Sequence, residues 1–128
     1  MGASHIISNT GYDFVYFEQA ACGGICLDWV RIDVSADNAN WITVFNWGDN
    51  LPDANTNIAG YTGNNEIDNA PIPASALYCN NGFCTGIEID VKPFGPVPPG
   101  GYRYIRIWSP LNWPDNDGAE VDSLLIFP

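Results

Sequence analysis

The residues best suited to chemistry sit at the end of the chain, where Asp115, Asn116, Asp117, Gly118, Glu120 and Asp122 run straight into Leu124, Leu125, Ile126 and Phe127. Crowded carboxylate and amide oxygens repel one another unless a hard cation neutralises them, and Ca²⁺ gathers about six to eight such oxygens. The expectation is a structural Ca²⁺ held by Asp115, Asp117, Glu120 and Asp122. Glu18 and Asp28, on early strands, complete the shell, because terminal strands lie side by side in β-sandwiches. The competing reading is a solvated acidic turn before a last strand. A second oxygen-rich segment, Asp53-Ala54-Asn55-Thr56-Asn57, has the alternate spacing with which a curved loop aims successive oxygens at one cation, with Glu66 or Asp68 to complete it. It is not an EF-hand, because Ile58 stands where the turn glycine belongs and Asn64 where the closing glutamate belongs. A plain loop of Asx turns is its alternative.

Aromatic residues offer a different chemistry. In Tyr102-Arg103-Tyr104-Ile105-Arg106-Ile107-Trp108, strand alternation sends Ile105 and Ile107 one way and Tyr102, Tyr104, Arg106 and Trp108 the other. Trp113 follows in a loop bounded by Pro110 and Pro114. Flat exposed rings stack on the apolar faces of sugars while polar groups such as Arg106, Asn112 and Asp115 orient the hydroxyls. The ligand site is therefore placed at Tyr104, Arg106, Trp108, Asn112 and Trp113, with a neutral oligo- or polysaccharide as partner. Against it stands simple packing, with Arg106 paired to a carboxylate. Trp41, Phe45 and Trp47 are read as packing residues on one strand face, opposite Ile42 and Val44, although Trp47 abuts the Gly48-Asp49-Asn50 turn. Phe83 lies inside a cysteine loop that would hold it rigidly outward.

Catalysis is not expected. His5 is the single histidine and lies at the terminus, so neither Ser-His nor Cys-His chemistry has its base. Acids are plentiful, but no pair is marked out by spacing, and Glu88 and Asp90 share what reads as a solvated strand face.

The 4 basic residues against 15 acidic ones give a formal charge of -11 and a pI near 4.1. Such a field repels phosphate, which argues against nucleic acid and anionic membrane surfaces as partners. No apolar run is long enough to span a bilayer. The length of 128 residues suits one domain. Residues 1–8 read as an artificial remnant or linker and the start of a first strand, and residues 9–128 as a single module of a larger secreted or cell-surface protein. The four cysteines fall in two close pairs, Cys22/Cys26 and Cys79/Cys84. Four cysteines allow three pairings, but glycine and asparagine inside each pair favour two local disulfides and an oxidising compartment. A zinc site is the alternative, and the spacing within the pairs argues against it.

The elements that must position these residues are strands. Val30, Ile32 and Val34 alternate with Trp29, Arg31 and Asp33, and Ile87, Ile89 and Val91 with Glu88 and Asp90; Tyr12–Glu18, Tyr102–Trp108 and Val121–Phe127 complete the set. Breakers fill residues 48–74 and 93–101, so no helix is expected. An all-β, antiparallel two-sheet sandwich of about eight strands follows.

The segment from Asp28 to Trp47 resembles the early strands of discoidin-like, galactose-binding-type β-sandwich modules. The run Tyr102–Trp108, answered by Asp117–Leu124, is similar to the closing strands of such modules in bacterial extracellular proteins. The resemblance implies a jelly roll with a structural Ca²⁺ and a ligand site at loop tips or on one sheet face. The cysteine pairs and the long 48–74 connection depart from that pattern.

Overall fold

The computed structural model describes residue 6, residues 10–110 and residues 118–128. Among them are ten strands: β1 (Phe14–Glu18), β2 (Ala20–Ala21), β3 (Gly24–Leu27), β4 (Val30–Ser35), β5 (Ile42–Trp47), β6 (Ala70–Pro73), β7 (Tyr78–Asn80), β8 (Phe83–Ile89), β9 (Tyr104–Trp108) and β10 (Val121–Ile126). Two short 3-10 turns, Ala74–Ala76 and Lys92–Phe94, are the helical elements described, and neither is long enough to cross a membrane.

The chain is all-β and every strand pairing is antiparallel. Hydrogen bonding divides the strands into three sheets where two were expected: β10-β1-β8-β7, β2-β3-β6 and β5-β4-β9. The additional strands are short and lie in glycine- or proline-rich sequence that offers little period-two signal. Strand β6 reads Ala-Pro-Ile-Pro, and its prolines are tolerated because it is an edge strand of its sheet. The first and last strands are neighbours, with Phe14 opposite Ile126 and Glu18 opposite Val121.

One core joins the three sheets. Phe14, Tyr16, Ile87 and Ile89 meet Ile25, Leu27 and Ile72, and Val30, Ile32, Val34, Phe45 and Trp47, all buried. Ile6 belongs to it too: it is buried and exchanges backbone hydrogen bonds with Tyr102 at 3.0 and 2.9 Å. The segment 1–8, expected as a remnant or linker and the start of a strand, thus contributes a core residue.

The faces of β5 need a correction. Against β4, Val30 faces Trp47, Ile32 faces Phe45, and then the register shifts so that Asp33 faces Thr43 and Val34 faces Ile42. Val44 is the extra residue of this bulge, so alternation reverses there. Phe45, Trp47 and Val44 are all buried, while Asn46 is half-buried and Thr43 exposed.

Residues 55–57 pair with the end of β8, in line with β7. Thr56 bridges to Ile89, Asn57 N–H donates to Glu88 O and Asp90 N–H to Asn55 O. The cysteines close two local bridges, Cys22–Cys26 and Cys79–Cys84. Both belong to an oxidising environment.

Candidate functional site

The outer face of β5-β4-β9 carries the aromatic residues that the sequence singles out. The register sets Arg31 opposite Trp108, Asp33 opposite Arg106 and Ser35 opposite Tyr104. Alternation therefore turns all six away from the Ile32, Val34, Ile105 and Ile107 face. Tyr104 is 43% exposed and Trp108 55%. Tyr102, expected on the same stripe, is instead buried where Ile6 pairs with it.

Charge on this face is tightly organised. Arg106 donates from Nε and Nη2 to Asp33 Oδ2 at 2.9 and 2.7 Å, and its guanidinium stacks 4.2 Å above the Trp41 ring. Arg31 Nε lies 3.3 Å from Asp33 Oδ1, close enough for an ion pair though not aligned as a hydrogen bond, and its guanidinium stacks 4.8 Å over Trp108. Thr43 also donates to Asp33. Burial works against the Asp33 charge, but the Arg106 and Thr43 hydrogen bonds and the two arginine charges outweigh it and hold the carboxyl below its ordinary range. Arg106 is thus engaged within the protein.

Beside Trp108 a cleft of about 500 Å³ opens between Trp29, Asn46, Gly48, Asp49 and Ser109, with Trp47 and Val30 at its base. Trp29, 36% exposed, is held by its indole N–H donating to Glu66 O at 2.9 Å and by Asp68 Oδ1 accepting its backbone N–H at 3.1 Å. Glu66 is buried, and its carboxylate accepts the backbone N–H groups of Gly48, Asn50 and Gly63 at 2.8, 2.9 and 2.8 Å. A side chain at residue 48 would press within 2.8 Å of Trp29, at a φ of +120° that favours glycine. Trp29, Asn46 and Asp49 were not singled out in the sequence. Alternation places Trp29 on the face of Arg31 and Asp33, and turns Asn46, between the packed Phe45 and Trp47, onto the same face opposite Arg31.

The second oxygen-rich segment has a structural use. Asn55 Nδ2 donates to Val44 O and Asp90 O at 2.8 and 3.0 Å, and Asn57 donates to Ala76 O and Gly86 O while accepting the Glu88 N–H. Asn55 and Asn57 thus tie strands together through their side-chain amides. Glu66 and Asp68, expected to complete that loop, hold the Gly48 turn and Trp29. Asp53 is pushed up to about 7 by burial and by the charges of Asp49 and Glu66, against a hydrogen bond from the Asn46 backbone.

Of the first calcium set, Asp115 and Asp117 lie outside the described residues, as do Asn112 and Trp113 of the ligand set. Glu18 lies where β1 meets β10, within reach of the charges of Asp28 and Glu120, and Asp122 is exposed on β10. Glu18 Oε2 accepts the Tyr16 hydroxyl at 3.1 Å and Oε1 the Glu120 N–H at 3.2 Å. Burial pushes Glu18 up to about 7; the two hydrogen bonds oppose the rise, and the Asp28 and Glu120 charges add to it. Among the described residues no three His, Cys, Asp or Glu side chains form a group ready to hold a metal ion. Comparison with family models, curated proteins and solved structures finds no match to this chain.

Proposed function

We propose that this chain is a non-catalytic, extracellular carbohydrate-binding module with a galactose-binding-type jelly-roll architecture, part of a larger secreted or cell-surface protein. The observation that carries the reading is the exposed outer face of β5-β4-β9, where Tyr104 and Trp108 present open rings on a rigid sheet beside hydrogen-bonding side chains. A stacking platform must be open to solvent, and this one is. Two disulfides fit an extracellular setting, and the shared core of the three sheets fits a sandwich with its terminal strands paired.

A structural Ca²⁺ is part of the proposal. Glu18 and Asp28 would hold it together with the acidic segment leading into β10. Its support is electrostatic: a cation between Glu18, Asp28 and Glu120 would relieve the repulsion and burial that raise the Glu18 pKa.

A structural or adhesive module that binds no sugar is the second reading. It is favoured by Arg106, whose charge is already matched by Asp33 and whose plane is occupied by Trp41.

A glycan array probed with and without chelator separates the two. The expected result is a neutral glycan hit, weakened by chelation, that Trp108→Ala reduces at least tenfold, about 1.4 kcal/mol. The variant's unfolding midpoint should stay close to the parent's, because exposed substitutions usually shift stability by about 0.5 kcal/mol or less. A Trp108→Ala protein that binds as well as the parent removes the platform as the site, and an array with no hit leaves the structural reading in the lead.

A further inference from the structure

We propose that the cleft between Trp29 and Trp108 is the principal subsite of this module and takes one neutral pyranose ring, with Asn46 and Asp49 orienting its hydroxyls; this rests on the carbohydrate-binding reading above. At about 500 Å³ the cleft falls within the range of small-molecule sites, roughly 300–1,000 Å³, and has room for a hexose with its linkage. Two partly exposed indoles form its walls, and large apolar rings flanking a cleft suit the C–H face of a sugar. One face of Trp108 is covered by the Arg31 guanidinium, which leaves the other for a ligand.

The polar groups discriminate among sugars. Asn46 Nδ2 donates to Asp49 Oδ2 at 2.9 Å, and the Leu51 N–H donates to Asp49 Oδ1 at 2.8 Å. An amide and a carboxylate fixed in this way still offer one N–H donor and several lone pairs, a set that matches hydroxyls, which both donate and accept. A sugar carboxylate would meet the Asp49 charge, and Arg31 and Arg106 are together offset by Asp33 and Asp49, so the four groups carry no net charge. The ligand is therefore an uncharged ring.

The site is built before the ligand arrives. Glu66 clamps the backbone on both sides of Asp49 through Gly48 and Asn50, and its carbonyl holds the Trp29 indole. Little ordering is left to oppose binding. Glu66 is thus a positioning residue for both the stacking wall and the hydroxyl-orienting loop.

Isothermal titration of the full chain with methyl pyranosides and with cello-, xylo-, manno- and galacto-oligosaccharides tests this. Trp29→Ala and Asn46→Ala are each expected to weaken the best-binding neutral sugar at least tenfold. Phe94→Ala, an exposed ring on the Lys92–Phe94 turn, should change it less than twofold. Asn46→Ala decides the matter if loss of the Trp29 indole disturbs folding, which unfolding midpoints will reveal. Trp29→Ala and Asn46→Ala proteins that bind like the parent, while Trp108→Ala abolishes binding, overturn the cleft and leave the carbohydrate reading standing. A preference for uronate oligosaccharides overturns the neutral ligand, and a parent that binds none of these sugars overturns both readings.

Discussion

At the scale of single residues, Asn55 shows how a buried amide can be more telling than a charged cluster. The bulge at Val44 takes that residue's carbonyl out of the regular ladder, and Asn55 Nδ2 supplies the missing donor while also satisfying Asp90 O. Asn55→Ala would leave two carbonyls without this donor, and the expected cost is about 2–6 kcal/mol at about 1–3 kcal/mol for each buried unsatisfied group, read from urea unfolding. The loss should be the same with and without Ca²⁺. An Asn55→Ala protein as stable as the parent, or one destabilised only when Ca²⁺ is present, would contradict the structural role. Asp33 acts similarly on the opposite face, where one carboxylate fixes Arg31, Arg106 and Thr43.

At the scale of elements, the junction of β1 and β10 carries the clearest pH dependence. Glu18 titrates near 4.5 in the unfolded chain and about 7 in the folded one, so the folded state binds the proton more tightly. Stability from this group is complete below about pH 4.5 and is lost as pH rises through about 7. Asp53, also pushed up to about 7, adds a decline of the same sign. Unfolding free energies measured in the presence of chelator should therefore fall between about pH 5 and pH 8, less steeply in Glu18→Gln and least in a Glu18→Gln, Asp53→Asn double variant. A decline as steep in the double variant as in the parent would contradict the assignment. The strands on either side of this junction were legible from the sequence, because Tyr12–Glu18 and Val121–Phe127 alternate or run apolar over long stretches. Strands β2, β3, β6 and β7 were not, since two to four residues broken by glycine or proline carry too little periodicity. The aromatic stripe at Tyr104 and Trp108 was legible for the same reason as β9 itself. The cleft was only half legible: Trp29 and Asn46 follow from alternation on β4 and β5, but no local pattern announces that Glu66, distant in sequence, clamps the turn at residues 48–50 beside them.

At the scale of the whole molecule, a chain of net charge -11 concentrates two of its four basic residues, Arg31 and Arg106, on one sheet face, and matches both to Asp33. With Asp49 of the adjoining cleft the local charges sum to zero, and the surface is rich in aromatic rings, the combination that suits an uncharged hydroxylated ligand better than an anion. The most direct test is a ¹⁵N-correlation NMR titration of the parent with its best glycan from the array. Indole N–H signals of Trp29 and Trp108 and backbone signals around Asn46 and Asp49 should move together and saturate with one dissociation constant. Shifts confined instead to the Cys79–Cys84 hairpin around Phe83, or no shifts anywhere with any glycan, would contradict the account.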